Sequence, residues 1–310
     1  MAAPVAQPAS LESTYKVREA EGVLDLYFYR RIGFQLAKFF AELGMSPIAV
    51  TLLGGVFGIA AGHLYFYRDL RINIAGMLLH ICANALDNAD GQLARLTNRQ
   101  SREGRIIDSF VDHLIFTSIY VHLALRCIAD ASSPAIWLLA AAAGLSHAVQ
   151  AWGADYFRNA YLYFVNSRSP AQLDSAAALV AEYREVEWQS EPWRKLLLAL
   201  HLNVTRRQEM LSAGLNRLRH TTDSLFPEQL PQWFRTRYRS LAQPMFRWWG
   251  FLMTNTRMIV LFGLLVAGRP AWYFWVELIL LNLLLVYLLV REHAMSQELL
   301  SEVRIRHEPD

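Results

Sequence analysis

The sequence predicts an all-α, polytopic integral membrane protein, and three observations carry that reading. Of its 310 residues, 54% are hydrophobic and only 18% are charged, a balance outside the range of ordinary soluble domains. Six apolar stretches, at about 47–67, 72–96, 104–128, 135–156, 246–267 and 271–290, each approach the ~20 residues that cross a bilayer as a helix. The two cysteines, Cys82 and Cys127, both fall inside predicted spans and read as small core residues in a reducing setting. A net charge of +3 is too small for a nucleic-acid-binding surface.

Taken in order, residues 1–21 are rich in Ala, Pro, Ser and Glu and lack the continuous apolar core of a signal peptide, so they read as a flexible cytosolic tail. Residues 22–44 mix aromatics with Arg30, Arg31 and Lys38, the pattern of an amphipathic helix lying in the membrane interface. Residues 45–164 hold the first four spans and 244–292 the last two, followed by a cytosolic tail over 293–310. Between them lies a polar insertion, 165–243, punctuated by Trp188, Trp193 and Trp233. Its amphipathic stretches predict a cytosolic helical subdomain resting on the interface. Six spans place both termini on one side of the membrane. That side collects most of the flanking basic residues, among them Arg30, Arg31, Lys38, Arg95, Arg99 and Arg102, whereas Arg68, Arg71, Arg126 and Arg269 fall on the other. The excess of basic residues marks the cytosolic face.

Within the second and third spans sit residues no lipid-facing helix would carry. Asp87, Asp90, Gly91, Ala94 and Arg95 share one face at 3.6 residues per turn, and Gly104, Asp108 and Asp112 form a second stripe at spacings of four. The short connection around 97–102 folds the two helices into an antiparallel pair with the stripes facing. Each Asp in the middle of a membrane helix costs about 2.5–3.5 kcal/mol, so four converging carboxylates require a cation. Neither stripe contains His or Cys, which favours a hard divalent ion, magnesium or manganese, over zinc. Gly91, Ala94 and Gly104 leave room for a ligand or a second backbone, and Arg95 suits a phosphate oxygen.

The pattern Asp87-x2-Asp90-Gly91-x2-Ala94-Arg95-x8-Gly104-x3-Asp108-x3-Asp112 resembles the signature of the CDP-alcohol phosphotransferases, integral membrane enzymes that displace CMP from a CDP-linked donor, and all eight of its positions match. The resemblance implies that Asp87, Asp90 and Asp108 hold the metal, with Asp112 assisting a second ion and serving as the general base toward the acceptor hydroxyl. It also implies that Gly91, Ala94, Arg95 and Gly104 bind the nucleotide and diphosphate. Thr51 joins them through a segment in which the family carries a Pro-Asn pair; here Pro47 is followed by Ile48, which departs from that pattern. A homodimer in the lipid bilayer is a further implication.

The acceptor is less constrained. Arg158, Asn255 and Arg257 lie in otherwise apolar stretches of the fourth and fifth spans and are the acceptor-binding candidates, which favours a phosphorylated alcohol. His147 and Gln150 read equally well as a satisfied polar interior. The donor expected is CDP-diacylglycerol, with a CDP-choline or CDP-ethanolamine type of transfer to a lipid acceptor as the alternative. A divalent-cation transporter and an aspartate-rich prenyl transferase are readings from other classes. The first leaves the spacing of Gly91, Ala94 and Arg95 unexplained, and the second needs another acidic cluster, which the remaining spans lack.

Overall fold

The structure is a computed structural model that describes residues 22, 24–130, 133–166 and 173–307. The N-terminal tail expected over 1–21 lies outside the described residues. All regular elements among the described residues are helical, and the chain divides into two compact units, 1–144 with 261–273 and 145–260 with 274–310.

The first unit begins with a π-helical turn, Asp25–Tyr29, that runs into α1 (Arg30–Glu42). Three long helices follow: α2 (Pro47–Leu64), α3 (Leu70–Leu96) and α4 (Arg102–Ala129). Their starts are written in the sequence. Ser46 Oγ accepts from the Ala49 amide at 3.2 Å ahead of Pro47, and Asp69 Oδ1 accepts from the Arg71 amide at 2.8 Å. Ser101 Oγ likewise accepts from the Gly104 amide at 2.9 Å. Each side chain satisfies one of the amides a helix start leaves unpaired. The reversal between α3 and α4 is made possible by Asn98, which takes a φ of 54°, a conformation its short polar side chain tolerates.

The core of this unit is small residues against branched ones. A Cβ added at Gly55 would lie 2.7 Å from Val111 Cγ1, at Gly58 2.6 Å from Ile115 Cδ1, and at Gly62 2.6 Å from Ser118 Oγ. The glycine stripe of α2 therefore lets α4 approach to a distance that any larger residue would prevent. On the other side Ala37 and Phe40 of α1 close over Val50, Leu86, Ala89 and Leu93. The π-helical turn exposes Tyr27 and Phe28, and α1 exposes Ile32 and Phe39 beside Arg31 and Lys38.

The second unit contains the helices of the insertion. Helix α5 spans Ile136–Val165, of which residues 145–165 belong to this unit, and it continues well past the end expected near 156. It is followed by α6 (Ala176–Glu185), α7 (Pro192–Leu211), α8 (Ala213–Leu225) and α9 (Gln232–Trp249). Aromatic side chains join α5 to α9. Phe157 stacks on Trp249 at 5.1 Å between ring centroids, Tyr161 meets Phe246 edge-on at 4.5 Å, and Phe164 packs on Tyr238 at 4.6 Å. Residues 157, 161 and 164 lie on one face of α5, so the insertion is anchored by a repeating aromatic contact. A smaller core of Leu179, Val186, Leu198 and Leu202 joins α6 to α7.

The fifth predicted span, 246–267, is two helices. Its first residues complete α9, a 3-10 turn covers Gly250–Leu252, and α10 (Thr254–Val266) follows once Met253 becomes extended with ψ 165°. The short α11 (Trp272–Trp275) leads through a π-helical segment, Val276–Leu281, into α12 (Asn282–His307). The segment expected as a tail from 293 is thus helical through His307, because Leu299, Leu300 and Val303 are buried and α12 packs on α8 and α9.

By length and composition four described helical segments can cross a membrane: Pro47–Leu64, Arg102–Ala129, Gln232–Val266 and Trp272–His307. The two other stretches expected to span correspond to α3 and α5. Both are long helices of 27 and 30 residues, but α3 carries Asp87, Asp90 and Arg95, and α5 carries His147, Gln150, Asp155 and Arg158. Polar residues of that kind lower the apolar content of a helix and raise the cost of placing it in lipid.

Candidate functional site

The cytosol-predicted end of the first unit is where its three long helices bring their polar residues together. The C-terminal part of α3 supplies Asp87 and Asp90, the N-terminal part of α4 supplies Asp108, and one carboxylate oxygen from each lies within 4.8 Å of the others. Asp90 is buried, Asp108 half-buried and Asp87 exposed, so the cluster opens from an enclosed floor to an accessible rim. Asp87 and Asp108 are in hydrogen-bond contact, and Asp112 lies one turn further along α4 within electrostatic range of Asp108. Two ionised carboxylates reach such contact only around a shared proton or a cation. The ligand atoms of this cluster are all carboxylate oxygens, a donor set for a hard divalent ion.

The surrounding residues are tied to this cluster. Thr51, on the first turns of α2, donates its hydroxyl to the Asp90 carboxylate and also lies 3.1 Å from the Pro47 carbonyl. Asp90 is therefore held from a second helix, 39 residues away in sequence. The Arg95 guanidinium lies within electrostatic range of Asp90, and a Cβ at Gly91 would stand 3.4 Å from its Nη2. The space left by Gly91 is thus where the head of Arg95 lies. Ala94 is half-buried on α3, and Gly104 sits three residues beyond its Ser101 cap at the start of α4. Thr51, Asp87, Asp90, Gly91, Ala94, Arg95, Gly104, Asp108 and Asp112 all fall within the first unit.

The three acceptor candidates fall in the second unit. Arg158 and Asn255 are half-buried. Arg257 is only 1% exposed and is enclosed by protein groups: Nη1 donates to Glu277, Nη2 to Gln150 Oε1 at 2.8 Å, and Nε to the Leu252 carbonyl at 3.2 Å. Gln150 completes the network with bonds to the Glu277 carbonyl at 3.0 Å and to Asn282 Oδ1 at 2.7 Å. The residue that sequence reasoning passed over is Glu277. Its signal was present, a lone acid in the apolar run 272–281, 20 residues after a lone arginine.

Residues 45–170 match the family model described as CDP-alcohol phosphatidyltransferase. Three curated relatives carry the likeness. Archaetidylinositol phosphate synthase of Pyrococcus horikoshii is 36% identical over 91 residues, which are 29% of this chain and 47% of that protein. Phosphatidylinositol phosphate synthase of Streptomyces avermitilis is 34% identical over 98 residues, 32% of this chain and 39% of that protein. Bifunctional IPC transferase and DIPP synthase of Thermococcus kodakarensis is 26% identical over 151 residues, 49% of this chain and 33% of that protein. The chain spans half or less of the length of these relatives, and the segment that matches the family model contains the aspartate cluster.

Proposed function

We propose that this chain, whose residues 45–170 match the CDP-alcohol phosphatidyltransferase family model, works as members of that family do and transfers a substituted phosphate from a CDP-linked donor to an alcohol in a membrane, with release of CMP. The observation that carries the proposal is the grouping of Asp87, Asp90 and Asp108 within 4.8 Å, with Thr51 on Asp90. These acids would hold magnesium or manganese, and the ion when bound neutralises the donor diphosphate. Asp112 accepts the proton of the acceptor hydroxyl, the acceptor oxygen attacks the donor's β-phosphorus, and CMP departs. Arg95 offers charge to the transferring phosphate. Gly91, Ala94 and Gly104 border the nucleotide, and Thr51 fixes the carboxylate of Asp90.

The donor we propose is CDP-diacylglycerol. Two of the relatives have inositol phosphate in their names, which supports a phosphorylated inositol as the acceptor. Arg158 and Asn255 are the residues proposed to meet it; Arg257 could join only by giving up its bond to Glu277. The protein is proposed to have six spans, with α3 and α5 among them, an interfacial α1, a motif facing the cytosol and a homodimeric assembly. The test is CMP release from the purified protein with magnesium, given CDP-diacylglycerol or CDP-choline and a panel of alcohols that includes inositol phosphate and glycerol phosphate. CMP with CDP-diacylglycerol and a phosphorylated acceptor is expected. No CMP from any pair, with divalent-cation flux in liposomes, would overturn the transferase reading in favour of a transporter.

A further inference from the structure

The opposite ends of α2 and α4 carry a second constellation that the proposed transfer does not use. His63, in the last turn of α2, and His122, in the last third of α4, place Nδ1 and Nε2 respectively 3.1 Å apart. The rings stand at 85° to each other with centroids 4.9 Å apart. From Thr51 the pair is about 18 Å away along α2, and from Asp112 about 15 Å along α4, at 1.5 Å rise per residue.

The far nitrogen of each ring is already occupied. His122 Nδ1 lies 2.7 Å from the Ser118 carbonyl, which can only accept, so this nitrogen carries the proton and Nε2 presents its lone pair toward His63. Ser118 Oγ, 3.2 Å from the same nitrogen, is itself anchored by donating to the Ile59 carbonyl of α2 at 3.0 Å. His63 Nε2 lies 3.3 Å from the Tyr67 hydroxyl, which can accept its proton and leave the Nδ1 lone pair directed at His122. A facing pair of imidazole nitrogens, each ring oriented through its other nitrogen by an oxygen, is the arrangement that surrounds metal-ligating histidines.

The spacing agrees with such a role. Two imidazoles bound tetrahedrally to one ion at 2.0–2.1 Å stand about 3.3 Å apart, nitrogen to nitrogen, so the observed 3.1 Å needs only a small adjustment. Of the acids at this end of the unit, Asp130 is paired with Arg68 and Asp69 caps the start of α3 through the Arg71 amide. The site therefore offers nitrogen where the aspartate cluster offers oxygen. His63 is exposed, which gives an ion access.

We propose that His63 and His122 form a second cation site, for a nitrogen-seeking divalent ion such as Zn2+, and that the bound ion ties together the ends of α2 and α4 remote from the aspartates. Water completes the coordination. The inference does not depend on the reaction proposed above.

The test is a Zn2+ titration of the full-length protein in lipid nanodiscs with Mg2+ saturating, read by competition with a chromogenic chelator. Wild type should bind one more Zn2+ per chain than His63→Asn or His122→Asn, and Asp108→Asn should retain that site. Tyr67→Phe should weaken it by roughly ten-fold or more, as loss of a group orienting a ligand does. His63 is exposed, so His63→Asn is the variant that tests binding without disturbing a buried contact. Equal Zn2+ stoichiometry and affinity in wild type and in both His variants would overturn the proposal and leave a ring-to-ring hydrogen bond. Loss of the extra ion in Asp108→Asn instead would place it at the aspartates.

Discussion

Two clusters of charge are set into apolar helices of this protein, and they are built on opposite principles. In the second unit Arg257 and Glu277, 1% and 0% exposed, neutralise each other and are completed by Gln150 and Asn282. In the first, three acids converge, and the cation near them, Arg95, is set against several carboxylates. A compensated pair is finished as folded. A cluster of one sign needs a partner from outside, which is the physical signature of a binding site as against a structural one.

That contrast can be broken at either end. The largest effect is expected at Asp112, where Asn keeps the shape but accepts no proton: turnover should fall by about 10²–10⁴-fold, measured as CMP release, with nucleotide binding largely kept. Activity near wild type would remove Asp112 from the base role. Glu277→Ala strands the Arg257 guanidinium in the interior and should cost about 3–5 kcal/mol, seen as a lowered melting temperature. The paired change Arg257→Met with Glu277→Leu should recover most of that loss, and failure to recover would mean that the pair does more than balance charge.

A smaller change sharpens the comparison. Thr51→Val removes the hydroxyl that holds Asp90 without altering side-chain size, and Mg2+ affinity or activity should drop by roughly 10–100-fold, by titration calorimetry or CMP assay. An unchanged value would show that α3 positions Asp90 unaided. The least effect is assigned to Ser101→Ala at the start of α4, worth about 0.5–2 kcal/mol of stability, read by thermal melting with metal affinity essentially preserved.

Much of the candidate site was legible because its spacing is local. Asp87, Asp90 and Arg95 share a helix face by periodicity alone, Gly104, Asp108 and Asp112 do the same, and the reversal between them is short enough to bring the faces together. The break at 250–253 was less legible. The run from Phe246 to Ala267 is apolar apart from Arg247 and residues 254–257, and the break falls on the apolar residues 250–253, where hydropathy alone does not distinguish one helix from two joined by a 3-10 turn. The C-terminal helix was missed for the opposite reason: residues 293–307 are polar enough to read as tail, and their helix is held by burial of Leu299, Leu300 and Val303.

The sequence by itself determined that this is a helical protein with several membrane-length apolar segments and an acidic motif in two of its helices, since both follow from the types and spacing of near neighbours. Tertiary structure decided which distant residues complete each polar group. Thr51 reaches Asp90 across 39 positions, Gln150 meets Asn282 across 132, and His63 faces His122 across 59. Such pairings depend on helix crossings set by the packing of Gly55, Gly58 and Gly62 against α4 and of the α5 aromatics against α9. Local periodicity fixes a helix face, and the packing of whole helices fixes what that face meets.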